Sequence, residues 1–273
     1  MKILVTGSNG MLGQDLCPIL EDEGYIVEET TISDMDFTDK NQVITRIEET
    51  KPDFIMHLGA YTNVDKAEEE RELAYKTNAE GTQNLAAICK DKDIPILYIS
   101  TDYVFDGTKN GKYLPEDKQN PINVYGDSKY KGELAILENE KYYIVRTSWL
   151  YGHHGKNFVE TMISLADKEE IKVVDDQRGC PTWTVDLANG IVKILKEKSP
   201  YGIYHVCGSG QTSWYGFACE IFKLCGKKVN IKPCTTKDFP RPAKRPMNSI
   251  MENKNILRPW ELALRDYIEL RCE

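Results

Sequence analysis

Residues 2–13 read K-I-L-V-T-G-S-N-G-M-L-G, and this stretch decides the fold. Four of its first five residues, at positions 3–6, are apolar or β-branched, which is typical of a buried parallel strand. The glycines at positions 7, 10 and 13 then break the strand, and a helical pattern begins at Met11. A glycine-rich turn between a strand and a helix lets the backbone approach a pyrophosphate at the helix N-terminus. The stretch therefore predicts a dinucleotide-binding site.

Strands and helices continue to alternate as far as about residue 148. Apolar runs and helical spacing predict strands at 25–27, 53–58, 96–100 and 143–147 and helices at 39–49, 68–90 and 125–139. Such alternation implies right-handed crossovers and a mostly parallel sheet that is covered by helices on both faces. We therefore expect an α/β fold with a Rossmann-type doubly wound parallel sheet.

The pattern loosens after residue 148. It predicts helices at 157–168, 185–196, 214–224 and 260–270, a strand at 202–206 and a proline-rich basic loop at 233–248. We expect a dinucleotide-binding Rossmann domain over 1–148 and a smaller, mainly substrate-binding lobe over 149–273. Elements at about 185–207 are expected to return to the Rossmann sheet.

The composition restricts the classes of function. The 273 residues carry a net charge of −8, with 41% hydrophobic and 29% charged residues, as in soluble globular proteins. An acidic chain is a poor ligand for nucleic acid and gains nothing from an anionic membrane surface. No stretch approaches the roughly 20 apolar residues of a membrane span. The sequence therefore predicts a cytoplasmic protein with no nucleic-acid or membrane partner, and its eight cysteines, which lack zinc-site spacing, are expected to be thiols.

A tyrosine and a lysine stand four residues apart, in Y-G-D-S-K at 125–129. This spacing places Tyr125 and Lys129 on one face of a helix. An ammonium group beside a phenol would lower its pKa from the usual value of about 10. The pair is thus suited to giving a proton to a carbonyl oxygen as hydride arrives at the carbon. Alone, the motif is common and more typical of an ordinary exposed pair, but its place downstream of the glycine loop and of the alternating strands favours the catalytic interpretation.

Hydroxyl and carboxyl groups follow the strand predicted at 96–100, in S-T-D at 100–102. Ligands bind at the carboxyl ends of strands in open α/β sheets, where a hydroxyl could share a substrate oxygen with Tyr125. The same three residues are also suited to capping the end of a strand, and both interpretations stay open.

The cofactor preference is to be sought after the second strand, in E-E-T-T at 28–31. An acid at the end of this strand is typical of NAD sites, because it binds the ribose hydroxyl. The acids favour NADH and the threonines leave NADPH open, so we expect NADH or NADPH.

Six segments together resemble the extended short-chain dehydrogenase/reductase family, and within it the branch that reduces nucleotide-activated keto sugars. They span nearly the whole chain in the family's order, at 6–13, 60–68, 100–107, 123–129, 146–151 and 245–249. The segments S-T-D-Y-V-F-D-G at 100–107 and R-T-S-W-L-Y at 146–151 are fairly specific to this branch. Tyr103 stands where the family's dehydratases carry a glutamate, so the resemblance favours carbonyl reduction over dehydration.

The resemblance implies a role for each matching residue. Tyr125 would be the proton donor, Lys129 would hold the nicotinamide ribose, and Thr101 would bind the keto oxygen. The implied cofactor-binding residues are Gly7, Gly10, Met11, Leu12 and Gly13 at the diphosphate, Asp36 and Phe37 at the adenine, and Ala60, Tyr61 and Thr62 at the nicotinamide. The implied substrate-binding residues are Val64, Thr101, Asp102, Trp149 and Arg245. For Arg245, a solvated residue in a proline-rich loop is an equal alternative.

The implied reaction is reduction of the C4 ketone of dTDP-4-dehydro-L-rhamnose to dTDP-L-rhamnose, for cell-surface polysaccharide. Two alternatives stay open: a reductase of another nucleotide-activated keto sugar, and a non-catalytic, dinucleotide-binding regulatory subunit, which the intact Tyr125 and Lys129 disfavour. The resemblance also makes a homodimer the expected assembly. We expect no metal, because Val185 stands where some relatives carry an acid.

Overall fold

The structure, a computed structural model, describes residues 1–271. Cys272 lies outside the described residues. The strands are β1 (Lys2–Thr6), β2 (Ile26–Thr30), β3 (Phe54–His57), β4 (Ile96–Thr101), β5 (Tyr142–Thr147), β6 (Leu150–Tyr151), β7 (Ile171–Val174), β8 (Arg178–Gly179), β9 (Thr182–Trp183), β10 (Gly202–His205), β11 (Thr212–Ser213) and β12 (Ile231–Cys234). The α-helices are α1 (Met11–Asp22), α2 (Lys40–Thr50), α3 (Arg71–Tyr75), α4 (Thr82–Asp91), α5 (Val124–Ile136), α6 (Phe158–Ser164), α7 (Thr184–Lys196), α8 (Trp214–Leu224) and α9 (Trp260–Arg271).

Six parallel strands form the central sheet, in the order β2-β1-β3-β4-β5-β10. The chain leaves β1 for β2 on one side and later returns to β3 on the other. The sheet therefore has its switch point between β1 and β3, where a crevice opens at the carboxyl ends of the strands. The predicted Rossmann-type fold is confirmed.

Both faces of the central sheet are buried. Ile3 and Val5 of β1 pack with α1 and α7 on one face, whereas Leu4 packs with α2 and α4 on the other. Side chains alternate between the faces of a strand, so a strand covered on both sides is apolar throughout. This explains the unbroken apolar run that starts the chain.

A second hydrophobic cluster lies around α6, α8 and α9. Its core contains Tyr151, Phe217, Trp260 and Tyr267. Beside it, β7 and β12 make a separate parallel pair, in which Pro233 lies opposite Val173. The loop predicted from residue 233 is therefore wrong at its start, because β12 and a 3₁₀ turn at Thr236–Asp238 occupy it. The domain boundary after residue 148 stays a prediction.

Two further predictions need correction. The helix predicted at 68–90 is interrupted by a π-helical turn, Lys76–Gly81, which separates α3 from α4. The second strand ends at Thr30 instead of residue 27, because all of 26–30 pairs with β1. Among the described residues, no helix has the length and apolar character needed to cross a bilayer.

Candidate active site

A cleft of about 720 Å³ opens at the carboxyl ends of the central strands. The ends of β1, β4 and β5 contribute Thr6, Thr101 and Thr147 to its wall. Most of the predicted site residues line it, namely Gly7, Gly10, Met11, Leu12, Gly13, Asp36, Phe37, Ala60, Thr62, Val64, Thr101, Asp102, Tyr125, Lys129 and Trp149.

The glycine loop at one end of the cleft is packed too closely for side chains. Gly7 has a left-handed φ of +68°, and a Cβ there would lie 2.8 Å from the Gly59 Cα. A Cβ on Gly13 would overlap the carbonyl of Ser8. α1 starts directly after Gly10, which offers no side-chain cap to the free N–H groups of the first turn. These groups fit the diphosphate of a dinucleotide, because it can accept hydrogen bonds that no side chain takes.

Phe37 shapes the wall beyond the glycine loop. Its ring fits between Gly59 and Gly81, at each of which a Cβ would lie 2.6 Å from a ring atom. The ring also meets His57 edge-on, with 4.8 Å between the centroids. Next to it, Asp36 accepts hydrogen bonds from the backbone N–H and hydroxyl of Thr38, at 2.9 and 2.8 Å. Phe37 is thus held rigidly at the cleft.

The carboxyl end of β2 presents hydroxyl groups to the cleft. Thr30 and Thr31 line it. Glu28 lies inside the strand and forms ion pairs with Lys2 and Arg46, at 3.9 and 3.8 Å. Glu28 and Glu29 both lie outside the cleft lining, and the preference between NADH and NADPH stays a prediction.

Thr101, Tyr125 and Lys129 come together at the middle of the cleft. Asn123 caps α5 by accepting a hydrogen bond from the Gly126 N–H at 2.7 Å, so Tyr125 lies in the first helical turn. Lys129 follows one turn later, with its side chain buried and its Nζ 4.0 Å from the centroid of the Tyr98 ring. The predicted spacing thus places Tyr125 and Lys129 on the cleft side of one helix.

Burial dominates the electrostatics of this pair. It lowers the pKa of Lys129 to about 7, against the opposing effect of the Glu133 carboxylate. It raises the pKa of Tyr125 to about 12, against a hydrogen bond with Thr101. The expectation of a lowered tyrosine pKa is therefore wrong for this structure. Tyr125 carries its proton at neutral pH and can donate it.

Asp102 is a buried carboxyl group beside Thr101. Its Oδ1 accepts a hydrogen bond from the Thr101 hydroxyl at 3.0 Å, and burial raises its pKa to about 6 despite hydrogen bonds with Ser249 and Thr101. Thr101 in turn accepts a hydrogen bond from the Tyr103 N–H at 3.2 Å. Both proposed roles of this segment are thus compatible, since Thr101 caps the strand end and also faces the cleft.

Asn78, in the π-helical turn, connects the turn after β3 to α5 behind the cleft. Its Nδ2 donates to the Tyr61 carbonyl at 3.0 Å and to the Ser128 hydroxyl at 2.9 Å, and its Oδ1 accepts from the Tyr61 N–H at 2.8 Å. It therefore holds the turn after β3 against α5. Sequence reasoning missed this residue, because the surrounding pattern is helical; the nearby Gly81 was the available signal.

Glu133 was also missed. It lies one helical turn after Lys129 and accepts hydrogen bonds from Arg146, at 2.8 and 2.7 Å, and from the Ser100 hydroxyl at 2.5 Å. Glu133 and Arg146 are fully buried. This ion pair places a negative charge near Lys129, which raises the lysine pKa against the effect of burial.

Two predicted residues lie outside the cleft lining. The Tyr61 hydroxyl donates a hydrogen bond to Glu70 at 2.6 Å, so its side chain points away along α3. Arg245 forms two parallel hydrogen bonds with Asp65, both 2.9 Å. The pair ties the loop that contains Arg245, between β12 and α9, to the turn after β3. The contacts of Tyr61 and Arg245 with ligands stay predictions.

Lys156 and Trp214 line the cleft without having been predicted. Trp214 stacks on Trp149 with 3.5 Å between the ring centroids. No pattern in the sequence links these two residues, which lie 65 positions apart. Within residues 1–271, no group of three or more His, Cys, Asp and Glu side chains is arranged to hold a metal ion.

Comparisons with known proteins agree with this geometry. The family model described as the RmlD substrate binding domain matches residues 1–270. A dTDP-4-dehydrorhamnose reductase from Aggregatibacter actinomycetemcomitans is 41% identical over 97% of this chain and 97% of its own. The spore coat polysaccharide biosynthesis protein SpsK from Bacillus subtilis is 40% identical over 99% of this chain and 98% of its own.

Crystal structures give the same result. A dTDP-4-dehydrorhamnose reductase from Clostridium acetobutylicum superimposes with a TM-score of 0.97 at 46% identity, covering 100% of both chains. The enzyme of that name from Bacillus anthracis, in complex with NADP, has a TM-score of 0.94 at 41% identity, covering 98% of this chain and 99% of its own. The predicted relation to the extended short-chain dehydrogenase/reductase family is confirmed, and the chain belongs to the dTDP-4-dehydrorhamnose reductase family.

Proposed function

We propose that this protein reduces the C4 ketone of dTDP-4-dehydro-L-rhamnose to dTDP-L-rhamnose, with NADH or NADPH as the reductant. The observation that carries the proposal is one cleft that contains the glycine loop together with Thr101, Tyr125 and Lys129. Dinucleotide binding and proton donation to a carbonyl both require this proximity. The product would serve the synthesis of cell-surface polysaccharide.

The side chains divide the work of reduction. Bound NAD(P)H supplies a hydride to C4 of the sugar. Thr101 hydrogen-bonds the keto oxygen and Tyr125 gives its phenolic proton to that oxygen, so the ketone gains one hydride and one proton. Lys129, in its charged form, then stabilises the phenolate until Tyr125 regains a proton. Burial keeps water away and strengthens each of these interactions.

The cofactor and substrate regions would occupy opposite ends of the cleft. Gly7, Gly10, Met11, Leu12 and Gly13 would hold the diphosphate of the dinucleotide, Asp36 and Phe37 the adenine, and Ala60, Tyr61 and Thr62 the nicotinamide. Val64, Asp102, Trp149 and Arg245 would hold the sugar nucleotide. The threonines at the end of β2 carry no charge that would repel a 2′-phosphate, which supports the use of NADPH as well as NADH.

The setting of the protein is part of the same proposal. We expect a Rossmann domain over 1–148, a mainly substrate-binding lobe over 149–273, a homodimer and a cytoplasmic location. Light scattering of the purified protein tests the assembly. A mass of one chain would reject the dimer without affecting the proposed reaction.

The experiment for the reaction mixes the protein with NAD(P)H and dTDP-4-dehydro-L-rhamnose and follows the absorbance of the reduced cofactor. A panel in which the base and the sugar are varied runs beside it. We expect the fastest oxidation with the dTDP-linked keto sugar. A folded protein that binds NAD(P)H but oxidises none with any keto sugar would refute the enzymatic function and favour a regulatory subunit.

A further inference from the structure

Trp149 has an unusual backbone conformation at the wall of the cleft. Its φ is +48°, in the left-handed region that bulky side chains rarely adopt. The residue follows β5 of the central sheet by two positions and lines the cleft. Strained conformations of this kind persist where the surrounding structure enforces them, and they cluster at ligand sites. The contacts of Trp149 therefore show what enforces this one.

The Trp149 indole has two contacts from the second half of the chain. Its ring lies parallel to that of Trp214, with a 5° angle between the planes. It also lies so close to the backbone of Gly179 that a Cβ there would come within 2.5 Å of Nε1. The Trp149 carbonyl accepts a hydrogen bond from the Thr182 N–H at 3.2 Å.

A single short ribbon supplies both indole contacts. β8 contains Gly179 and pairs antiparallel with β11, and β11 leads directly into Trp214 at the start of α8. The Trp214 Nε1 donates a hydrogen bond to Gln177 at 3.1 Å, which sets the rotation of its ring. The ring of Phe158 packs on Trp214 with 4.6 Å between centroids. The ribbon thus holds the Trp149 indole against Trp214 and Gly179, and we call these two residues the clamp.

We propose that Trp214 is a positioning residue for the sugar nucleotide, which holds the Trp149 indole in place as the substrate wall of the cleft, with Gly179 as the second part of the clamp. The inference rests on the proposed function. An apolar sugar face binds more tightly to an indole that is already fixed, because ordering a free side chain opposes binding. Trp214 fixes the orientation of the Trp149 ring by stacking on it.

A double-mutant cycle of Trp149→Leu, Trp214→Leu and the pair tests this inference on the full-length protein. Loss of the stack should raise the KM for the keto sugar about three- to tenfold, while the KM for NAD(P)H changes by less than about twofold. Because Trp214 acts through Trp149, the double variant should match Trp149→Leu alone, and the effects should not add.

Three companion variants complete the test. Trp214→Phe keeps an aromatic face and should restore most of the substrate KM. Gly179→Ala should raise it like Trp214→Leu, by displacing the indole, and it replaces that variant if Trp214→Leu fails to fold. Trp183→Phe alters a buried tryptophan of the same lobe outside the cleft lining and should leave both KM values unchanged.

The outcomes separate the two proposals. Additive effects in the cycle, or equal increases in the KM for sugar and cofactor, would overturn the positioning role while leaving the reductase intact. Inactive wild-type protein would overturn the proposed function, and the inference with it.

Discussion

The two sides of the cleft are built on different principles. The side formed by β1, β4 and α5 takes its reactive groups from contiguous motifs, in which a few residues of spacing determine what faces the ligand. The other side depends on contacts between residues that are distant in the chain. Trp149 stacks on Trp214 in the cleft lining, and the Asp65–Arg245 pair, outside the lining, ties the loop that contains Arg245 to the turn after β3. The proposed catalytic groups can therefore be derived from local patterns, whereas the proposed substrate contacts depend on residues that only the fold brings together.

Removal of the Tyr125 hydroxyl tests the motif-built side and should have the largest effect. Tyr125→Phe leaves the ring and α5 in place but removes the proton that the ketone must receive. We expect the rate of keto-sugar reduction to fall about 10²- to 10⁴-fold, with the dissociation constant for NAD(P)H nearly unchanged. Steady-state rates and titration of cofactor fluorescence measure both quantities.

Tyr75→Phe is a matched control at a tyrosine of α3 that contacts α5. The Tyr75 hydroxyl donates to Asp127 of α5 at 2.5 Å, outside the cleft lining. This variant should keep the native rate. A Tyr125→Phe rate close to native would remove Tyr125 from the reaction, and an equal loss in both variants would show a structural effect.

Arg245→Gln tests the side built from distant pairs, with an intermediate effect. Its bonds to Asp65 tie the loop that contains Arg245 to the turn after β3, and Gln cannot form the charged bidentate pair. We expect the KM for the keto sugar to rise about tenfold, which corresponds to about 1.4 kcal/mol, and the KM for NAD(P)H to stay constant.

Arg241→Gln is the control for Arg245, because Arg241 lies 4.0 Å from Asp65 and is more exposed. It should change neither constant. If the KM for cofactor rose with that for the sugar in Arg245→Gln, the division of labour between the two sides of the cleft would be wrong.

Lys129→Met probes the motif-built side and has the smallest expected effect, which is a change in stability. Burial holds the pKa of Lys129 at about 7 in the folded state, below the unfolded value of about 10.5. Between these values the unfolded chain binds more protons, so the free energy of unfolding of the native protein rises with pH. The variant lacks this dependence.

Thermal unfolding measures the difference. At pH 7 we expect the Tm of Lys129→Met to exceed the native Tm by about 2–4 °C, at the expense of the reaction rate, and the gap should close as the pH approaches 10. If the variant were less stable than the native protein by the same amount at both pH values, the claim that buried Lys129 destabilises the fold would be wrong.

The strands that are buried on both faces of the central sheet could be predicted from the sequence. Runs such as residues 3–5 and 143–145 are apolar throughout, which is typical of buried parallel strands. β7 and β12 were not predicted, because each is short and pairs with a single strand. In β12, Pro233 also argues against a strand. The π-helical turn was missed as well, because the residues around it have a helical pattern and Gly81 alone did not mark an interruption.

The site divides in the same way. Tyr125 and Lys129 follow from helical spacing, and the glycine loop follows from its position between β1 and α1. Trp214 has no local signal, because its role depends on the pairing of β8 with β11. The prediction that Lys129 lowers the pKa of Tyr125 was wrong. Burial, which a spacing pattern does not show, is the largest cause and raises that pKa.

The most direct test of the proposed reaction follows the hydride itself. NAD(P)H deuterated at the reactive C4 position of the nicotinamide is mixed with the protein and dTDP-4-dehydro-L-rhamnose, and the product is examined by NMR and mass spectrometry. We expect dTDP-L-rhamnose that carries one deuterium, at C4 of the sugar, for each cofactor oxidised. Cofactor oxidation without deuterium at that carbon, or an unreduced sugar with folded and cofactor-bound protein, would contradict it.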